Sequence, residues 1–187
     1  VLGRGDDLRR VEGALANGPG RLVTITGRGG VGKTLLATAV AARWTGAGTG
    51  QAVLVRLEAV TDPAQVVDAV VRALGLTGGR SSAIESIAEH LDGTDALLVL
   101  DNFEHLLAAA HHVGEVLDRT TGVRILVTSQ APLHLEREQL VALGPLSVPA
   151  PDTGLEGIRS SPAVEMYRAH VAAVDPSFRL DESNAAA

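Results

Sequence analysis

The chain has 187 residues, of which 45% are hydrophobic and 2% are aromatic, and it has a formal net charge of −6. A chain of this length suits one packed domain with a small addition. Nucleic-acid binding requires a basic surface and stacking rings, so we expect no direct nucleic-acid contact by this segment. The absence of cysteine excludes disulfides, thiolate nucleophiles and cysteine metal sites.

The sequence also bears on where the protein works. No stretch approaches the roughly 20 apolar residues that span a bilayer, and no charged segment followed by a short apolar one opens the chain. We therefore expect a cytoplasmic protein without membrane contact. Because the sequence begins within a motif and ends in alanines, we expect it to be a piece of a longer protein.

Segments that predict strands alternate with segments whose apolar spacing predicts helices. Parallel neighbours need crossover connections, so this alternation predicts a parallel sheet with helices on both faces. The expected fold class is α/β, with three layers and a five-stranded, mainly parallel sheet. In chain order, the predicted elements are a strand at 21–26, a helix at 33–45, a strand at 52–57, helices at 63–76 and 82–91, a strand at 96–100, a helix at 103–118, and strands at 123–128 and 139–143.

The end of the chain differs in composition from the rest. Prolines are dense in "GPLSVPAPDTG" at 144–154, which is typical of a linker. Beyond it, "SSPAVEMYRAHVAAV" predicts an amphipathic helix at 161–174, with a serine before a proline in the first turn. We assign residues 1–149 to the sheet domain and residues 150–187 to a linker and the first helix of a second domain.

The segment "GRGGVGKT" at 27–34 fits the P-loop pattern G-x-x-x-x-G-K-[ST], and it lies between a buried strand and a helix, as a P-loop must. Glycines let backbone N–H groups turn toward phosphate oxygens, and the helix N-terminus adds partial positive charge. Lys33 would reach the β- and γ-phosphates, and Thr34 would ligate Mg²⁺. A glycine-rich turn without a ligand is the alternative. The residues predicted to bind nucleotide here are Gly27, Gly29, Gly30, Val31, Gly32, Lys33, Thr34 and Leu35.

A second anchor for the metal follows the apolar run "ALLVL". Asp101 ends this strand, where a Walker B aspartate would hold Mg²⁺; a helix cap is the alternative role. Hydrolysis also needs a group that orients water, and Asn102 cannot act as a carboxylate base. Glu104 is the nearest acidic candidate, although it could equally be a solvated glutamate in the first turn of a helix. We predict Asp101 and Glu104 as catalytic residues, and Thr34 and Asp101 as metal ligands.

The strand that ends in "ILVTSQ" places Thr128, Ser129 and Gln130 at the carboxyl edge of the sheet, where ligands bind in open α/β sheets. A residue at this edge can report whether a γ-phosphate is present, and we predict that role for Gln130. An ordinary polar exit from a strand is the alternative interpretation.

Together these motifs resemble those of the bacterial signal-transduction ATPases with numerous domains (STAND proteins), relatives of the NB-ARC switches. "VLGRGDDL" is similar to the family's N-terminal hhGRxxE segment, and "TGRGGVGKT", "LLVLDNFEHLL", "VRILVTSQAPL" and "LGPLSVP" follow in family order. The resemblance implies that Leu2 and Arg4 lie against the adenine, that Gln130 stands at a sensor position, and that residues 161–174 open a helical lid. It points to multidomain transcriptional regulators of actinobacteria.

Three functions are compatible with these residues. The first is an ATP/ADP-binding regulatory switch that is at most a slow Mg²⁺-dependent ATPase, whose partners are nucleotide, the other domains of its parent chain and further copies of itself. The second is a partitioning ATPase, whose "GKGGVGKT" loop differs only at Arg28, although those proteins place the P-loop almost at the start of the domain. The third is a small-molecule kinase, which the widely spaced Arg159, Arg168 and Arg179 disfavour.

Overall fold

The structure is a computed structural model that describes residues 2–46, 50–77, 82–149, 153–174 and 180–181. It divides into two compact units, one formed by Asp7–Leu143 and the other by Val1–Asp6 with Gly144–Ala187. Parts of the predicted motifs lie outside the described residues: Val1 of the N-terminal segment, residues 150–152 of the linker, and residues 175–179 and 182–187 of the second domain.

The larger unit alternates helices and strands along the chain, as the apolar patterns predict. Two short 3₁₀ helices, Pro63–Gln65 and Leu107–Ala109, precede the third and fifth α-helices. The elements are α1 (Gly5–Asn17, which belongs to this unit from Asp7), β1 (Leu22–Thr26), α2 (Lys33–Gly46), β2 (Ala52–Arg56), α3 (Val66–Ala73), α4 (Ala83–Leu91), β3 (Leu97–Asp101), α5 (Ala110–Arg119), β4 (Arg124–Ser129) and β5 (Glu138–Ala142).

The five strands form one sheet in the order β2-β3-β4-β1-β5, and every neighbouring pair is parallel. The predicted five-stranded parallel sheet is therefore confirmed. β4 lies between β1, which leads into the P-loop, and β3, which ends at Asp101. Because all strands run the same way, their carboxyl ends meet at one edge, and this edge positions the candidate site.

Helices cover both faces of the sheet, which gives the three predicted layers. β3 is buried along its whole length, and its alternate residues face opposite sides. Leu98 and Leu100 pack with α3, α4 and α5, whereas Leu97 and Val99 pack with α1 and α2. A strand buried on both faces must be apolar throughout, which explains the run "ALLVL".

The helix predicted at 103–118 begins later than the sequence suggests. Asn102 has a φ of 69°, and the residues after it form turns until the 3₁₀ helix at Leu107, so α5 starts only at Ala110. The Phe103 N–H donates to the Thr128 carbonyl oxygen at 2.9 Å, which directs the chain across the end of β4 instead of into a helix. The interpretation of Glu104 as a glutamate in the first turn of a helix is therefore wrong.

The smaller unit contains α6 (Leu155–Arg159) and α7 (Pro162–Val174) among its described residues. The second of these confirms the predicted helix at 161–174, with proline at its first position. The Ser161 hydroxyl donates to the Ser147 carbonyl oxygen at 2.9 Å, so this serine fastens the start of the helix to the preceding segment. No helix in the described ranges is both long and apolar enough to cross a membrane.

Candidate functional site

The loop between β1 and α2 has a backbone that depends on glycine. Gly32 has a φ of 99°, a conformation that side chains with a Cβ rarely adopt. At Gly27 the limit is space, because an added Cβ would lie 2.5 Å from the Leu143 carbonyl oxygen. These two constraints explain why the loop needs glycine at its beginning and immediately before α2.

Lys33, the only lysine in the sequence, lies at the first position of α2. Its side chain is largely buried, and its Nζ atom donates to the carbonyl oxygens of Gly27 at 2.9 Å and Arg28 at 3.2 Å. The ammonium is thus held within the curve of the loop. Since an ammonium has three donors, these two bonds leave one for an anion in the loop.

A chain of hydrogen bonds joins the P-loop to the ends of β3 and β4. The Thr34 hydroxyl donates to Asp101 Oδ1 at 2.8 Å, and the Thr128 hydroxyl donates to the same oxygen at 2.6 Å. The Asn102 N–H in turn donates to the Thr128 hydroxyl at 2.9 Å. The two predicted metal ligands, Thr34 and Asp101, are therefore in direct contact although 67 positions separate them in the sequence.

Thr128 contributes to the site in a way that the sequence does not indicate. The sequence predicts Thr128 at the sheet edge with Ser129 and Gln130, but the predicted ligand-sensing residue is Gln130. The register pairs Leu100 with Val127, so Thr128 is the β4 residue beside Asp101. A buried hydroxyl beside a buried carboxylate in a parallel register is the signal that would have identified it.

Glu104 and Gln130, which the sequence predicts for catalysis and sensing, are in contact with each other. Gln130 Nε2 donates to Glu104 Oε1 at 3.0 Å. The second oxygen of the carboxylate, Oε2, is shielded from solvent and has no hydrogen-bond partner among the described residues. The structure thus pairs a base candidate with an amide from the next strand along the sheet.

A cleft of about 420 Å³ opens at this edge of the larger unit. Its volume falls within the range of ligand pockets. Asp101 is not among the residues that line this cleft, but it accepts a hydrogen bond from Thr34, which does line it. The cleft is lined by Gly29, Gly30, Gly32, Lys33, Thr34, Leu35, Thr38, Asn102, Glu104 and Thr128.

Not every predicted residue lines the cleft. Gly27 contacts Lys33 from the start of the loop, and Val31 packs against the core. Leu2 and Arg4 belong to the smaller unit, where Leu2 is exposed and Arg4 is buried. Their contact with an adenine stays a prediction.

Comparison with known proteins identifies the family. A family model described as an AAA domain matches residues 17–135, from the end of α1 to the segment before β5. The chain belongs to the AAA-domain family. The predicted resemblance to P-loop ATPases is therefore confirmed. The AAA-domain match does not distinguish the NB-ARC branch from other ATPases of this kind.

This AAA domain has relatives in mycobacteria. It is 34% identical over 170 residues to a Mycobacterium tuberculosis protein named as an HTH-type transcriptional regulator, a match that covers 89% of this chain and 18% of that protein. It is also 34% identical over 149 residues to an uncharacterized M. tuberculosis protein, covering 79% of this chain and 37% of that one. The AAA domain thus spans a small part of the regulators that it matches.

Two solved structures share the fold. Cdc6p from Pyrobaculum aerophilum is 17% identical with a TM-score of 0.57, over 77% of this chain and 46% of that one. AMPPCP-bound DnaA from Aquifex aeolicus is 16% identical with a TM-score of 0.52, over 99% of this chain and 56% of that one. At these identities the likeness shows the α/β P-loop fold alone.

The side chains of this AAA domain fit a magnesium nucleotide. Mg²⁺ prefers hard oxygen ligands and is usually held by one or two carboxylates together with substrate phosphates. Thr34 and Asp101 supply one hydroxyl and one carboxylate, next to the single ammonium of Lys33. Among the described residues, no three His, Cys, Asp or Glu side chains gather into a cluster that could hold a metal by itself. The geometry therefore suits a metal that arrives with phosphates.

Proposed function

We propose that this AAA domain binds ATP and ADP with Mg²⁺ in the cleft at the carboxyl edge of the sheet, and that it serves as a regulatory module with slow hydrolysis. The hydrogen bond of 2.8 Å between Thr34 and Asp101 is the observation that supports this most strongly. It joins the end of the P-loop to the end of the strand that supplies a metal-binding carboxylate in P-loop ATPases.

Each residue has a distinct role in this proposal. The loop N–H groups and the buried Lys33 ammonium hold the phosphates. Thr34 and Asp101 hold Mg²⁺, which when bound neutralises phosphate charge. The exposed side chain of Leu35 gives the cleft an apolar wall. A contact of Leu2 and Arg4 with the adenine is implied by the STAND resemblance alone.

The regulatory role rests on the relatives. The mycobacterial proteins named as HTH-type transcriptional regulators extend well beyond the segment that this domain matches. We infer that the domain works with other segments of such a chain, which contact DNA, and that its copies associate according to the nucleotide bound. The AAA-domain match disfavours the partitioning ATPase. A small-molecule kinase is tested by the rate of ATP turnover. Kinases typically turn over about 1 to 100 times per second, and we expect this domain to hydrolyse ATP far more slowly.

The Thr34→Val variant tests the proposal. Valine keeps the shape of threonine but removes the hydroxyl that contacts Asp101 and would ligate the metal. We expect wild-type protein to bind ATP more tightly with Mg²⁺ than without it, and Thr34→Val to lose this gain. Isothermal titration calorimetry with and without Mg²⁺ measures both quantities.

Thr45→Val is the matched control, because Thr45 lies at the other end of α2 and its hydroxyl donates only to the Ala41 carbonyl oxygen, at 3.2 Å. This variant should keep the wild-type response to Mg²⁺. The proposal is wrong if the wild-type chain binds neither ATP nor ADP, or if Thr34→Val responds to Mg²⁺ as the wild type does.

A further inference from the structure

Another cleft, of about 300 Å³, opens in the larger unit at the start of β1, which is the opposite end of that strand from the P-loop. None of the residues that line it lines the nucleotide cleft. Its walls are residues 19–22, the last turn of α5 and the two residues before β5. Its volume is at the lower end of the range of ligand pockets, so it suits a small molecule.

Short contacts hold two walls of this cleft together. Gln139 Nε2, on β5, donates to the carbonyl oxygens of Ala14 at 3.2 Å and Gly20 at 3.0 Å. Gly20 also lies so close to the other wall that an added Cβ would be 2.2 Å from the Arg137 carbonyl oxygen. Because these contacts fix the loop before β1 against the start of β5, the cleft is preformed.

The guanidinium of Arg21 is half-buried in the cleft and is held in one orientation. Nη1 donates to the Thr120 hydroxyl and the Val123 carbonyl oxygen, both at 3.2 Å, and Nη2 donates to the Leu117 carbonyl oxygen. A guanidinium has five N–H donors, so these three bonds leave the Nε–H and one Nη2–H without an acceptor among the described residues. Two N–H donors are what a carboxylate uses when it binds an arginine in a bidentate manner.

The rest of the lining carries charges of both signs. Asp118 is exposed on α5, and Glu136 and Arg137 are exposed before β5. Within the described part of the chain, none of these three side chains forms a hydrogen bond or an ion pair. Together with Arg21 they supply two cations and two carboxylates, so the lining has no net charge. It therefore favours a ligand that carries one charge of each sign over a purely anionic or cationic one.

The opposite charges of the lining lie close together. Asp118 follows Leu117, whose carbonyl oxygen accepts from Arg21, and Glu136 precedes Arg137. A matching ligand must have its own two charges close together, and a free α-amino acid carries both on one carbon atom.

We propose that this cleft binds a free α-amino acid. The carboxylate of the ligand accepts hydrogen bonds from the two arginines, and its ammonium donates to the two carboxylates. Its side chain contacts Pro19 and Leu117, which belong to the apolar part of the lining. Since the cleft shares no lining residue with the nucleotide cleft, the inference does not depend on the proposed function.

Saturation-transfer NMR with each of the twenty standard amino acids at millimolar concentration, without nucleotide, tests the inference. At least one amino acid should bind. The matching acid without the amino group and the matching amine without the carboxyl group should each bind about ten-fold more weakly, because each lacks one charge-assisted contact. Binding by none of the twenty would overturn the inference, and so would an acid that binds as tightly as the amino acid, since that result indicates a site for anions.

Two variants, Arg137→Ala and Asp118→Asn, locate the site. Both side chains are exposed, so the variants should fold, which circular dichroism checks. Each should weaken binding of the amino acid about ten-fold. Arg119→Ala is the control, because it removes an exposed positive charge next to Asp118 from a residue that does not line the cleft, and it should keep wild-type affinity.

Unchanged affinity in either Arg137→Ala or Asp118→Asn would place the amino acid elsewhere and overturn the inference. A wild-type chain that binds the amino acid but neither ATP nor ADP would support the inference and defeat only the proposed function.

Discussion

Phe103 determines the course of the chain immediately after the candidate site. Its ring is fully buried in the layer formed by α3, α4 and α5, and it follows Asn102, whose φ is positive. Asparagine tolerates that conformation better than most residues, because its short polar side chain can form hydrogen bonds with the nearby backbone. The pair thus fastens the segment that presents Glu104 to the cleft.

Replacing Phe103 with alanine should destabilise the larger unit by about 3 to 5 kcal/mol, because the substitution removes a fully buried ring and leaves a cavity. Denaturant unfolding followed by circular dichroism measures the free energy. Leu140→Ala on β5 is the control, since that side chain is 52% exposed and its loss should cost within about 0.5 kcal/mol. Similar losses in the two variants would show that Phe103 does not support the core.

At the scale of elements, the strands and the P-loop were predictable because their signals are local. The apolar run that ends at Asp101 and the glycines before Lys33 each specify their structure within a few residues. The segment after Asp101 was not predictable in the same way. Its apolar spacing fits a helix, but the bonds from Asn102 and Phe103 to Thr128 form across 25 or more positions and override that pattern.

The contacts within the candidate site also differ in how far the sequence predicts them. The sequence places Thr34 and Asp101 together because the P-loop motif implies a metal-binding partner at the end of another strand of the same sheet. The bond between Gln130 and Glu104 has no counterpart in any local pattern, since it depends on how two loops leave adjacent strands. Tertiary contacts that no motif implies are therefore the ones that the sequence does not predict.

Helix α4 has carboxylates at both ends whose hydrogen bonds depend on pH. The Ser82 N–H donates to Glu85 at 2.8 Å in a capping box, and this bond holds the pKa of Glu85 below its ordinary value of 4.5. At the other end, the Thr121 hydroxyl and N–H donate to Asp92 at 3.0 and 2.9 Å, and they hold the pKa of that carboxyl below 3.8. The hydrogen bonds at both ends of α4 therefore favour the ionised forms of the Glu85 and Asp92 carboxyl groups.

These shifts predict a loss of stability in acid. A carboxyl whose folded-state pKa is depressed contributes stability that is fully present above its unfolded pKa and is lost as the pH falls through the folded value. Unfolding midpoints should therefore decrease as the pH falls below 4.5 and then below 3.8. The double variant Glu85→Gln, Asp92→Asn should show a shallower decrease over that window, and parallel curves for the two proteins would contradict the assignment.

For the whole molecule, the central claim is that the edge of the sheet is a nucleotide site built around one buried cation. The chain spans 18% of the mycobacterial regulators that it matches, and the regulatory role that we propose for it requires nucleotide binding at this site. Lys33 is the only lysine in the sequence, and its Nζ atom already lies in the curve of the P-loop. The site can therefore be tested at a single position.

The most direct measurement is calorimetric titration of ATP and of ADP into the wild-type chain and into Lys33→Ala. A control, Arg43→Ala, removes one positive charge from the exposed end of the same helix, where Arg43 pairs with Glu12 at 2.6 Å. We predict that wild type and Arg43→Ala bind both nucleotides, whereas Lys33→Ala binds neither and keeps its fold in circular dichroism. Wild-type affinity in a folded Lys33→Ala protein would contradict the assignment of the cleft as a nucleotide site.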